Sequence, residues 1–193
     1  MLPHDVTAVR DIYAHHVLHG TGTFEVEPPD EDEMSRRIAA VTSHRLPFLG
    51  AVHDEDVLGF AYAGQYRPRP AYRFTVEDSV YLRPDSIGQG LGVALLAAVL
   101  SRCEELGLRQ VIAVVGDSAN LASIRTHERC GFAGVGTFRA VGLTVIPAIA
   151  RSVHTAPPWN LSFLPSVSGI TEFHDVAHEA GGMAYYRLRG WYR

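Results

Sequence analysis

The chain is short of cysteine and of long apolar runs, and each shortage excludes a class. Its two cysteines, Cys103 and Cys130, fall inside predicted helices. That is too few for a disulfide-stapled scaffold and agrees with a reduced, cytoplasmic setting. No apolar run approaches the roughly 20 residues that a membrane-spanning helix needs. The first residues, Met1-Leu2-Pro3-His4-Asp5, have neither the basic nor the apolar region of a signal peptide. Basic charge is not in excess: 17 Lys and Arg stand against 21 Asp and Glu, for a net charge of −4. The basic residues are scattered, so neither nucleic acid nor a membrane is an expected partner. No internal repeat is present. At 193 residues and 47% hydrophobic, the chain can bury one sizeable core and carry a tail.

What is there alternates between helical and strand patterns. Asp5 is placed to cap a helix to about Leu18, with Val6, Val9, Tyr13 and Val17 on one face. A second helix starts near Asp30, where Glu31, Asp32 and Glu33 suit the helix dipole, and Met34, Ile38 and Val41 form its buried stripe. Residues 48–52 and 57–64 read as strands, and Pro68 and Pro70 keep the next loop out of a sheet. Residues 74–82 are the next strand. A helix from Leu91 buries Leu96, Val99, Leu100, Cys103 and Leu106, and Gly107 stops it. Residues 109–116 form an apolar strand suited to burial on both faces. A helix over 120–130 is stopped by Gly131, and residues 132–138 begin a further strand. The order ααβββαβαβ predicts an α/β (α+β) fold, a mixed central sheet with helices on both faces.

Three segments carry chemistry. In Val80-Tyr81-Leu82-Arg83-Pro84-Asp85-Ser86-Ile87-Gly88-Gln89-Gly90-Leu91-Gly92, a strand enters a loop with alternate glycines and a helix follows at once. Glycines let the backbone approach a ligand, and a helix start offers unpaired N–H groups that favour a diphosphate. Such a turn also serves as mere connection. Upstream stands Arg67-Pro68-Arg69-Pro70-Ala71-Tyr72-Arg73-Phe74-Thr75-Val76-Glu77-Asp78-Ser79, and downstream Asn120-Leu121-Ala122-Ser123-Ile124-Arg125-Thr126-His127-Glu128-Arg129-Cys130-Gly131-Phe132. Together these resemble the GNAT superfamily of acetyl-CoA-dependent N-acetyltransferases, and within it the phosphinothricin and methionine sulfoximine acetyltransferase group. The resemblance runs from about Asp5 to Gly142.

The resemblance implies acetyl-CoA as co-substrate and a small-molecule amine as acceptor. Ile87, Gly88, Gln89, Gly90, Leu91 and Gly92 would hold the CoA pyrophosphate; Ile87 occupies a position where the family carries Arg or Gln, which loses one polar contact. The backbone of Val80, Tyr81 and Leu82 would pair with the pantetheine arm. Glu77 takes the place of the group's catalytic glutamate and His127 that of a histidine able to protonate the thiolate. A free glutamate, pKa about 4.3, is a weak base for an ammonium, so burial or a bridging water must help. The plain alternatives are a strand carboxylate paired to Arg73 and a helical filler histidine. Asn120 and Ser123 are placed near the pantetheine, although Asn120 equally suits a helix cap. For the acceptor, Arg67, Arg69 and Arg73 beside Tyr72 offer guanidinium forks for a carboxylate or phosphinate. Phe24 and Glu25 lie in the loop that lines the family's acceptor pocket, and ordinary loop packing accounts for them as well.

Both ends depart from the family pattern. The usual first strand is missing before the first helix, and after Gly142 the C-terminal hairpin gives way to residues 143–193. This stretch has Pro147, Pro157, Pro158 and Pro165 and no clear period. The expected division is a GNAT domain over 1–142 and an atypical tail over 143–193, either a genuine extension or a frame-altered end, poorly ordered from about Val153 with a short edge strand over 143–149. The missing first strand and the replaced C-terminal hairpin, the end that the family uses to complete its sheet and often a homodimer, motivate a rival reading: an acyl-CoA-binding remnant or interaction module without turnover. His15 with His19, and His174 with His178, are spaced i,i+4. Neither pair has the Glu of a zincin motif or an evident third ligand, so no metal is expected.

Overall fold

A computed structural model of the chain describes residues 5–138 and 182–188. The elements run α1 (Asp5–His19), α2 (Glu31–Ser43), β1 (Phe48–His53), β2 (Asp56–Gln65), β3 (Thr75–Leu82), α3 (Leu91–Glu105), β4 (Gln110–Val115), α4 (Leu121–Arg129), β5 (Ala133–Phe138) and β6 (Gly182–Leu188). They build a six-stranded sheet in the order β1-β2-β3-β4-β6-β5. β3 and β4 are parallel, and the other neighbours are antiparallel.

The element boundaries follow local chemistry. The Asp30 carboxylate accepts the Glu33 N–H at 2.7 Å and caps α2. Gly107, at φ 74°, ends α3 in the left-handed region that disfavours a side chain. Asn120 caps α4 by accepting the Ser123 N–H at 3.1 Å. The α2 stripe is shallower than its spacing predicts, since only Met34 is fully buried there.

Two apolar layers cover the sheet. On one face α3 sets Leu95, Leu96, Val99, Leu100 and Cys103 against Val76, Val111, Ala113 and Val115, joined by Ile124 of α4. On the other, Val9, Ile12 and Tyr13 of α1 and Met34 of α2 cover Phe60 and Tyr81. Period-2 alternation divides β3 between the layers: Val76, Val80 and Leu82 meet the α3 layer while Tyr81 meets the α1 layer. Leu106, expected inside, is 43% exposed because it is the C-cap residue of α3, beyond the last core-facing turn.

The tail needs a correction. The expectation that nothing after Gly142 completes the sheet, and that the C-terminal hairpin is lacking, fails at β6, which pairs antiparallel with both β4 and β5. The physical reason is that the tail's prolines stop at Pro165, while Gly182-Met183-Ala184-Tyr185-Tyr186-Arg187-Leu188 is proline-free and carries two strand-favouring tyrosines. β6 gives the inner strand β4 its second partner, which an apolar strand requires. The expectations for residues 143–149, for order between 153 and 181, and for His174 and His178 lie outside the described residues. No strand precedes α1 among the described residues, and none of the described helices is long and apolar enough to cross a membrane.

Leu96 is completely buried at the centre of the α3 layer. Leu96→Ala should lower unfolding free energy by about 2–5 kcal/mol in denaturant titration, whereas Leu106→Ala should cost well under about 1 kcal/mol.

Candidate active site

β3 and β4 run side by side only from Thr75↔Gln110 to Glu77↔Ile112, and beyond that point they part. The opening exposes one edge of β3. The Arg83 N–H turns to the Leu58 carbonyl of β2 at 2.8 Å, so by alternation the amides and carbonyls of Val80 and Leu82 face the other way, into the opening.

Two clefts meet there. One, of about 370 Å³, is lined by Glu77, Ser79 and Tyr81 of β3, by Gly116 after β4, and by Thr21 and Phe24 of the α1–α2 loop. The other, of about 330 Å³, runs past Leu82 to Ile87, Gly88, Gly90 and Gly92 at the start of α3. His16, Val80, Ser123 and His127 line both, so they mark the junction. Gly88 and Gly90 have φ near +83° and +82°, with open space where a Cβ would be. Gly90 caps α3 without any side-chain hydrogen bond. Among the described residues, no side chain caps the first N–H groups of α3, as an anion cradle needs.

Glu77 sits where the strands part, half-buried. Burial, and then the neighbouring Asp78 charge, push its pKa above the ordinary carboxylate value, while Arg67 pulls it part of the way back. Its expected alternative partner, Arg73, is elsewhere: that guanidinium donates to the Pro70 carbonyl at 3.1 Å and lies over the Phe74 ring.

His127 is buried, with both ring nitrogens engaged. Nδ1 is 2.7 Å from the Ser123 carbonyl and therefore donates to it. Nε2 is 3.0 Å from Asp78 Oδ2. Burial disfavours the charged ring, but the Asp78 hydrogen bond and charge more than offset it, and the His127 pKa is raised. Asp78 Oδ1 is buried and, among the described residues, accepts no hydrogen bond. Asp78 escaped the sequence reading, yet a signal existed. It lies on the same strand face as Val76 and Val80, and a carboxylate facing a core demands a partner.

The structure gathers Glu77, Val80, Tyr81, Asn120, Ser123, His127 and Phe24 around the first cleft, and Val80, Leu82, Ile87, Gly88, Gly90 and Gly92 along the second. Gln89 is turned aside, its amide donating to the Asp85 carbonyl at 3.1 Å, and Leu91 is half-buried in the first turn of α3. The acceptor set is only partly assembled. Glu25 accepts from Tyr13 Oη at 3.0 Å and from Arg37 at 2.7 Å, so it braces the loop behind Phe24. Arg67, Arg69, Tyr72 and Arg73 are exposed outside the cleft lining, and of these only Arg67 acts on Glu77 by its charge. Arg125 and Arg129 of α4 line the second cleft and were not anticipated. Among the described residues no cluster of three or more His, Cys, Asp or Glu is placed to hold a metal.

The Acetyltransferase (GNAT) family profile matches residues 9–132. The chain belongs to the GNAT acetyltransferase family. It is 54% identical over 138 residues to a phosphinothricin N-acetyltransferase of Alcaligenes faecalis, spanning 72% of this chain and 70% of that protein. It is 37% identical over 139 residues to an L-methionine sulfoximine/L-methionine sulfone acetyltransferase of Pseudomonas paraeruginosa, spanning 72% and 80%. The GNAT phosphinothricin acetyltransferase of Sinorhizobium meliloti, solved in complex with AcCoA, superposes with a TM-score of 0.76 at 33% identity, over 98% of this chain and 86% of that one.

The Asp78–His127 pair predicts a pH-dependent contribution to stability. His127 holds its proton more tightly folded than unfolded, and burial raises the Asp78 pKa as well. The stabilisation from the charged pair is thus greatest at about pH 6, is lost as pH rises through the higher folded His127 pKa, and is lost again as acid protonates Asp78. Asp78→Asn should therefore cost about 1.5–3 kcal/mol near pH 6 and clearly less near pH 9, read from denaturant titrations at both values. Equal losses at the two values would show that the charge is not what matters.

Proposed function

We propose that the chain is an acetyl-CoA-dependent N-acetyltransferase acting on the α-amine of a small amino-acid-like acceptor of the phosphinothricin or methionine sulfoximine type, with Glu77 as general base. The observation that carries this reading is Glu77 itself. A half-buried carboxylate with a raised pKa stands where the acceptor-side cleft meets the opening in the sheet, and that cleft shares His16, Val80, Ser123 and His127 with the cleft lined by the cradle glycines.

The residues present fit acetyl-CoA. Gly88 and Gly90 leave open space in front of the N-terminus of α3, the edge of β3 supplies the Val80 amide and carbonyl and the Leu82 amide for an extended polar arm, and Arg125 and Arg129 add positive charge to the second cleft. Acetyl-CoA supplies the thioester: the acceptor nitrogen forms the new C–N bond, the C–S bond breaks, and CoA leaves as the thiol. The chain's own work is to take one proton, return another and hold the partners in place. Glu77 takes the proton from the acceptor's ammonium, and burial together with the Asp78 charge makes it a stronger base than a free glutamate. The Val80 amide, turned into the opening, is placed to stabilise negative charge on a carbonyl oxygen. His127 lies at the junction, so the proton that it keeps with Asp78 is held where a leaving thiol must be reprotonated. Both of its ring nitrogens are already engaged, and its share in the rate is accordingly smaller than that of Glu77.

The remnant reading keeps only one of its two motivations, the missing first strand, because β6 pairs in the sheet at the C-terminal end. The direct test follows thiol release from acetyl-CoA with phosphinothricin, methionine sulfoximine and ordinary amino acids. Turnover on the first two is expected, and activity confined to protein lysines or aminoglycosides would overturn the substrate class. Glu77→Gln should lower kcat by roughly 10²–10⁴-fold with little change in the KM for acetyl-CoA. In the wild type, activity should fall on the acid side as the raised Glu77 pKa is crossed, and that limb should vanish in the variant.

A further inference from the structure

One residue of the junction comes from the opposite wall. Val80 belongs to β3 and Ser123 and His127 to α4, whereas His16 is in the last turn of α1. Its Nε2 lies 2.8 Å from the Leu82 carbonyl oxygen. A carbonyl only accepts, so Nε2 carries the hydrogen and donates it. Burial, together with the charge of neighbouring His15, holds the His16 pKa below its ordinary value despite the Leu82 bond. The ring is neutral near pH 7 with its hydrogen on Nε2. It also packs beside Tyr81, with ring centroids 5.4 Å apart.

Leu82 is the last residue of β3 before the cradle, and it is gripped on two sides. The Arg83 N–H binds Leu58 of β2 at 2.8 Å on one side, and His16 takes the Leu82 carbonyl on the other. Without His16 that carbonyl would face the opening unbonded. The backbone of the same histidine reaches the acceptor side, because its carbonyl accepts the Gly20 N–H at 3.1 Å where the loop carrying Thr21 and Phe24 begins.

We propose that His16 is a positioning residue: through its Nε2–H···O=C bond to Leu82 it fixes the end of β3 at the mouth of the opening, and so sets the path from the glycine cradle to the reacting end of the cofactor. This rests on the acetyl-CoA reading above. It makes His16 the link between the two clefts, acting on cofactor binding through Leu82 rather than on the transferred proton.

The test compares two variants of the full chain. His16→Phe keeps a ring against Tyr81 but has no donor. His16→Gln loses the ring and keeps an N–H. Calorimetric titration with CoA should show binding weakened about tenfold in His16→Phe, the scale of one lost hydrogen bond, and restored to within about threefold in His16→Gln. In turnover the KM for acetyl-CoA should rise by the same factor, with kcat changed far less. Melting curves establish that both variants fold. If His16→Phe binds CoA as the wild type does, or if His16→Gln is as impaired as His16→Phe, the proposal is overturned. Wild-type binding of CoA without turnover on any amino acid, with His16→Phe still weakened, would sink the substrate assignment and leave this inference standing. Failure of the wild type to bind CoA would overturn both.

Discussion

Everything in the site depends on β3 and β4 parting after Glu77. Parallel strands normally satisfy each other's backbone along their whole length, and an interrupted ladder leaves amides and carbonyls that need other partners. Here the register stops at Glu77↔Ile112, and the groups beyond it face two clefts. The interruption is held open from both sides of the sheet. On the α4 side, Asp78 is pinned by His127 at 3.0 Å, and on the α1 side Leu82 is pinned by His16 at 2.8 Å. The proposed binding surface and the carboxylate proposed as base thus come from the same strand, one from its edge and the other from the point where its pairing ends.

The wall opposite β4 is braced with similar economy. Tyr13 and Arg37 converge on Glu25, and Arg37 also reaches Glu33 at 2.8 Å, tying the loop to α1 and α2. Across the cleft, a Cβ on Gly116 would run into the Thr21 carbonyl and touch the Phe24 ring, so only glycine lets that loop lie against the end of β4. The wall proposed to face the acceptor is therefore part of the packed fold.

Local chemistry was legible in the sequence, and long-range pairing was not. Asp30, Gly107 and Asn120 act at their predicted boundaries because caps and stops are decided within a few residues. The glycine turn before α3 was legible for the same reason, whereas the role given to Glu77 rests on its resemblance to a family position. The partners of Asp78 and of the Leu82 carbonyl come from other elements and are fixed only by the tertiary fold. Glu25 has partners that its sequence context did not reveal: Arg37 and Tyr13 both bind its carboxylate. β6 was missed because the prolines upstream masked a short strand whose place in the sheet depends on β4 needing a second neighbour.

Backbone amide hydrogen exchange with and without CoA tests the central claim, that the unpaired edge of β3 and the glycine cradle form the cofactor's binding surface. The amides of Val80 and of residues 88–92 should exchange more slowly when CoA is added, while that of Tyr81, which alternation turns towards β2, should barely change. Protection appearing elsewhere, with Val80 and the cradle unaffected, would contradict the account.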